Sequence, residues 1–271
     1  MIALAAFAAG ALASALLWRL MRSEWREAPP LQRTNYRGHP LPIAAGVMVV
    51  LAAVLIGGAY TVVVRWNGVS QGEVARGATV AWIGTLGFGF IGLLDDLAGA
   101  TATKGFAGHL RALRHGTVTT GLVKLVLGGV VEMLRGGLLI ALGANLANLF
   151  DRAPGRVIKF GVLGAVVIAA LGAPGWWLTG PMLVLGAGAG MLLPDLREQC
   201  MLGDTGANVL GAAVGFGLAL SLNRTGEWIA VGVLLALNVA SERISFTKVI
   251  DATPPLRWVD RLGALPERRT R

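Results

Sequence analysis

The chain has 271 residues, 55% of them hydrophobic and 14% charged, with a mean hydropathy of +0.65. That is too little polar surface for a soluble domain of this length, and the single cysteine, Cys200, excludes an internal disulfide framework or a Cys-only zinc site. The net charge of +9 is scattered between apolar runs rather than gathered in a block, which points to a basic membrane face and away from nucleic acid.

Apolar stretches run at about 2–18, 43–64, 77–94, 118–134, 137–150, 157–172, 175–193, 206–222 and 227–241. They predict an all-α fold, a polytopic helical membrane protein with about nine transmembrane helices. No Lys or Arg precedes the first stretch, and Arg19, Arg22 and Arg26 follow it. It therefore reads as an uncleaved first helix rather than a signal sequence. Glu132, Arg135, Gly136 and Gly137 mark a turn between the fourth and fifth stretches, because a fused 118–150 segment is far too long for one span. The 39 glycines, Gly211 and Gly215 among them as a GxxxG pair, suit close helix packing in a membrane.

With the N-terminus outside, the segments 19–40, 95–117, 151–159, 195–205 and 242–271 fall on the cytoplasmic side and carry 19 of the 24 basic residues. This asymmetry is a positive-inside signal. All seven aspartates (Asp95, Asp96, Asp151, Asp195, Asp204, Asp251 and Asp260) fall on that side too. Acidic residues contribute little to orientation, so their bias asks for another cause, and a site supplies one. In residues 242–271, Pro254 and Pro255 precede Leu256, Val259 and Leu262 at helical spacing, with Trp258 and Arg261. That tail reads as a short cytoplasmic interfacial helix.

Three segments carry candidate chemistry. Asp95 and Asp96 end the third stretch. Adjacent carboxylates at a negative helix C-terminus are unfavourable unless a cation with phosphate oxygens relieves them, although a solvated helix end is the plainer alternative. Asn145, Asn148 and Asp151 share one helix side. Amides in an apolar run either glue helices together or line a polar cavity. Gly203-Asp204-Thr205-Gly206-Ala207-Asn208 opens the eighth stretch. Its glycines admit a ligand to a helix N-terminus, which favours anions, and Asp204 also suits a plain N-cap.

In this order, the three segments resemble the polyprenyl-phosphate N-acetylhexosamine-1-phosphate transferase family. That family carries an Asp-Asp pair at a helix end, an Asn-x-x-Asn-Leu-x-Asp-Gly segment and a Gly-Asp-x-Gly-Ser-like loop. Arg37-Gly38-His39-Pro40 is similar to its first cytoplasmic loop, and the resemblance covers about 35–245. It implies a phosphoglycosyl-transferase-like membrane domain over 1–241, followed by the tail at 242–271. The implied reaction moves sugar-1-phosphate from a UDP-N-acetylhexosamine to polyprenyl phosphate and releases UMP, with Mg2+ as cofactor, in cell-envelope polymer synthesis.

Carried over by position, Asp204 would hold the metal, and Asp95, Asp96 and Asp151 would be catalytic. Lys104, Asn145, Asn148 and Arg156 would bind substrate. The implied partners are polyprenyl phosphate, a UDP-sugar and the membrane, with no nucleic acid, and a homodimer is compatible with them. The implied location is a bacterial-type plasma membrane, multi-pass, with the C-terminus cytoplasmic. The chain departs from the family in two places. Asp151-Arg152-Ala153-Pro154-Gly155 lacks the second acid that commonly follows, and the only histidines are His39, His109 and His115, with no late His-rich loop. Those departures support the alternative of a non-catalytic relative that binds lipid phosphate or scaffolds envelope enzymes.

Overall fold

A computed structural model describes residues 1–66, 72–98, 134–171 and 176–265. The helices are α1 (Ile2–Glu27), α2 (Val47–Trp66), α3 (Gly72–Ala98), α4 (Leu134–Phe150), α5 (Arg156–Leu171) and α6 (Thr179–Gly190). They continue with α7 (Leu192–Leu196), α8 (Gly203–Ser221), α9 (Arg224–Ser241), α10 (Phe246–Ala252) and α11 (Pro254–Arg261). The expected fourth stretch, 118–134, falls almost wholly outside the described residues.

The helical expectation holds, with one addition and one correction. The addition is an antiparallel hairpin of β1 (Gln32–Thr34) and β2 (Pro40–Pro42). Its turn is built locally: the Asn35 side-chain oxygen accepts from the N–H groups of Arg37 and His39, and Gly38 takes φ +79. The correction concerns nine crossings, which length and composition do not support. Among the described residues, Ile2–Glu27 and Thr179–Leu196 are long and apolar enough to cross a membrane. A third candidate arises only if Arg224–Ser241 and Phe246–Ala252, bent by 94°, count as one span. The described parts of α4 and α5 have 17 and 16 residues, and each adjoins residues outside the described set.

Helix α8 is buried along most of its length and forms the centre of the bundle. Small residues let its neighbours in. A side chain at Gly211 would run into Gly143, Ala144 and Ala147 of α4, and one at Gly215 into Leu139. Rising numbers on α8 therefore meet falling numbers on α4, and the two helices are antiparallel. The same reasoning makes α3 antiparallel to α8, since Gly89 faces Val209 and Gly92 faces Asp204. Helix α5 is parallel to α8, with Gly164 against Val214 and Ile168 against Gly217. Helices α1 and α6 are parallel, with Phe7 against Gly186 and Ala11 and Ser14 against Gly190. In a membrane such glycine seams are how helices gain packing contact without a hydrophobic driving force.

Together these directions bring the C-terminal ends of α3 and α4 and the N-terminal ends of α5 and α8 to one end of the bundle. The loop before α8 is fixed there by backbone pairing. Met201 N–H donates to Pro42, while Ala45 and Gly46 donate to Met201 and Leu202 at 3.1 and 2.9 Å. Glu198, held at φ +50, binds the hairpin through Asn35 at 2.9 Å and Arg37 at 3.0 Å.

Candidate active site

The acidic end of the bundle is organised around Asp96. This residue is 5% exposed, and its carboxylate reaches across to the start of α8. One oxygen accepts the Asp204 N–H at 3.0 Å; the other accepts the Thr205 N–H at 3.0 Å and the Thr205 hydroxyl at 2.6 Å. Asp96 thus caps a helix that is not its own, meeting the unsatisfied N–H groups and positive end of α8 with negative charge. The interaction demands glycine at the entry. Gly203 has φ +72, and a Cβ there would sit 2.6 Å from an Asp96 oxygen. Arg33 completes the α3 terminus by donating to the Asp96 carbonyl at 3.1 Å.

Asp151 lies in the loop after α4, opposite the same segment, and the Gly203 N–H hydrogen-bonds to it. It keeps some solvent contact but is crowded on most sides. Burial pushes its carboxyl well above the usual carboxylate range, and repulsion from Asp195, Asp204 and Asp96 pushes the same way. Asp195, itself 5% exposed, joins the two catalytic-type segments. Its carboxylate accepts the Gly155 N–H at 2.6 Å and also bonds the Leu202 N–H. Cys200 is buried beside it, and burial raises its thiol well above the ordinary range, which makes it an inert packing residue.

Asp96, Asp151 and Asp204 of the expected site therefore gather within electrostatic reach of one another, with Asp95 adjacent in sequence on α3. Asn148 is half-buried one turn before Asp151. Lys104, His109 and His115 lie outside the described residues.

Two expected substrate ligands are engaged elsewhere. Asn145 donates to the Asn238 side-chain oxygen at 2.6 Å, and Asn238 donates in turn to the Leu142 and Leu234 carbonyls. It is the interhelical glue between α4 and α9, one of the two readings its position allowed. Arg156 makes a two-pronged bond to Asp260 at 2.7 and 2.9 Å and a third to the Thr247 hydroxyl at 2.9 Å. A fork so used binds the C-terminal tail to the bundle and is not open to phosphate. Lys159 reinforces it by donating to the Val259 and Asp260 carbonyls.

No protein-family model matches the chain, and no curated protein matches it either.

Thr205, Asp195 and Asn208 take part in this end of the bundle without having been singled out from sequence. Asp195 carried a signal, since it belongs to the one-sided aspartate set. Asn208 is fully buried one turn into α8; its amide N–H donates to the Asp204 carbonyl at 2.6 Å, and its amide oxygen has no partner among the described residues. Among those residues no three His, Cys, Asp or Glu side chains are grouped closely enough to hold a metal ion by themselves. Magnesium seldom asks for such a cage: one or two carboxylates, substrate phosphates and waters commonly suffice. The Asp204 carboxylate is a donor of that kind.

Proposed function

We propose that the chain is a magnesium-dependent membrane phosphoglycosyl transferase, moving sugar-1-phosphate from a UDP-N-acetylhexosamine to polyprenyl phosphate. One observation carries the reading. The three segments that resemble the transferase motifs meet at a single point, where Asp96 and Asp151 both bond the Gly203–Thr205 turn. Segments far apart in sequence need not meet, and a purely local cap for α8 would not require both acids.

In this reading a phosphate oxygen of the lipid attacks the sugar-linked phosphorus, and the phosphoanhydride bond to UMP breaks. Asp204, at the opening of α8, would hold the magnesium, which supplies charge neutralisation on the pyrophosphate. The Gly203, Asp204 and Thr205 N–H groups at the start of α8 are taken by Asp151 and Asp96, so this backbone presents Asp204 and leaves phosphate binding to the metal and side chains. Asp96 fixes that backbone, and Asp95 and Asp151 orient the lipid phosphate or take its remaining proton. Lys104 and Asn148 serve as substrate contacts. A multi-pass, N-outside arrangement in a bacterial-type plasma membrane belongs to the same reading. It is supported by the alternating helix directions, which put the ends of α3, α4, α5 and α8 on one side.

The test is release of UMP by purified protein given polyprenyl phosphate, magnesium and a panel of nucleotide-sugars. Asp204→Asn keeps a capping side chain but removes one negative charge from a hard-cation site. It should lose turnover by orders of magnitude at equal thermal stability. Absence of UMP release with every donor sinks the reading. It would then favour the non-catalytic relative, for which the engagement of Arg156 by Asp260 and Asn145 by Asn238 already speaks.

A further inference from the structure

The Asn208 amide oxygen poses a problem of its own. It is fully buried, and no donor meets it among the described residues. A desolvated acceptor left that way costs about 1–3 kcal/mol. Leucine would fill the same space in this apolar helix without that cost.

The position of the amide is well defined. Asp204, Asn208, Gly211 and Gly215 recur at spacings of four, three and four, so they share one face of α8. That face looks at α4, because Gly211 and Gly215 pack on Gly143 and Leu139. Helix α4 runs antiparallel and ends at Asp151, so Asn208 stands between the Gly211 crossing and the acidic end. Its N–H bond to the Asp204 carbonyl turns the amide back toward the start of α8. Asn208 is thus the i+4 neighbour of Asp204 on that face, one turn from the end of the bundle where the Asp204 and Asp151 carboxylates repel one another.

We propose that Asn208 is a positioning residue for a hydrated divalent cation held at Asp204, its amide oxygen accepting a hydrogen bond from one of the cation's waters. A cation-bound water is a strengthened donor, and magnesium keeps several of its waters when protein-bound. The amide supplies an oxygen without adding to the negative charge already gathered there. Outer contacts of this kind fix the orientation of metal-bound groups and set affinity. The proposal rests on the transferase reading only for the identity of the cation, and its test needs no nucleotide-sugar.

The experiment follows thermal unfolding of the purified full chain in detergent, starting from a chelated baseline and titrating Mg2+ or Mn2+. The parent should be stabilised in a saturable manner. Asn208→Leu should be at least as stable as the parent without metal, since it removes a buried unsatisfied group. Its half-saturating cation concentration should rise by about 10-fold or more, the usual effect of losing such a contact. An unchanged titration in Asn208→Leu, or no cation response in the parent, overturns the proposal; the first outcome would leave Asn208 holding only an ordinary buried water. If the leucine variant does not fold, Asn208→Asp decides: the added carboxylate should lower half-saturation, and an unchanged titration again overturns it. Cation binding that needs Asn208, in a protein releasing no UMP, upholds this site and removes the transferase reading alone.

Discussion

The Thr205 hydroxyl donates to the Asp96 carboxylate at 2.6 Å, joining residues 109 positions apart at the point where α3 meets the start of α8. Thr205→Val keeps the shape and removes the donor, leaving Asp96 its two backbone N–H partners. The loss should be about 0.5–1.5 kcal/mol, more if the carboxylate is charged. Asp96→Ala should cost more, because it strands two backbone donors as well as the hydroxyl. Denaturant titrations in detergent check the order, and equal losses for the two variants would show that the cross-helix cap is not organised around Asp96.

Asn145 and Asn238 should behave as a structural pair. Asn145→Leu leaves the Asn238 oxygen without its donor, whereas the double leucine variant removes both members. Membrane double-mutant cycles of such pairs average about 0.6 kcal/mol. A coupling of that order, with magnesium and nucleotide-sugar binding unchanged in the single variants, is the expected result. Loss of ligand binding at preserved stability would return Asn145 to the site.

Arg156 and Asp260 tie the tail to the bundle, with side chains only 7% and 12% exposed. Asp260→Asn should destabilise by roughly 3–5 kcal/mol, the range for breaking a buried pair and stranding its partner. Limited proteolysis between α10 and the C-terminus should quicken sharply. A tail that stays equally protected would mean that packing, not this pair, holds it.

Asp151 implies a pH dependence with a definite sign. Its folded carboxyl titrates well above the ordinary value, so the native state holds the proton more tightly than the unfolded chain. Its contribution to stability is full below the unfolded value and is lost as pH rises through the raised folded one. In chelator, stability should therefore fall across that window, and Asp151→Asn should flatten the fall. An identical pH profile in the variant would show that Asp151 is not the group responsible.

The helical character, the main apolar segments and the one-sided aspartates were legible in the sequence, because each depends on local composition or periodicity. Which polar residue meets which was not. Asn145 finds its partner 93 positions away and Arg156 finds its partner 104 positions away. Both were assigned to substrate from motif position alone, since a buried Asn or Arg reads the same whether it faces a ligand or another helix. The count of crossings failed for a different reason. An apolar run sets where a helix can form, but among the described residues only Ile2–Glu27 and Thr179–Leu196 are by themselves long and apolar enough to cross. Asn208 lay within view in the loop motif, and only the orphaned oxygen gave it meaning.

The parallel seam between α1 and α6 bears on how the chain is assembled. Gly186 and Gly190 receive Phe7, Ala11 and Ser14 so closely that neither position admits a side chain. Most of the chain is synthesised between the two halves of that seam. After insertion, α1 must wait with its small-residue face turned to lipid, or to temporary neighbours, until α6 emerges. A bulky substitution at Gly186 should thus leave each helix able to insert yet strand α1 as an orphan, a defect of late assembly that membrane quality control would read as an incomplete protein.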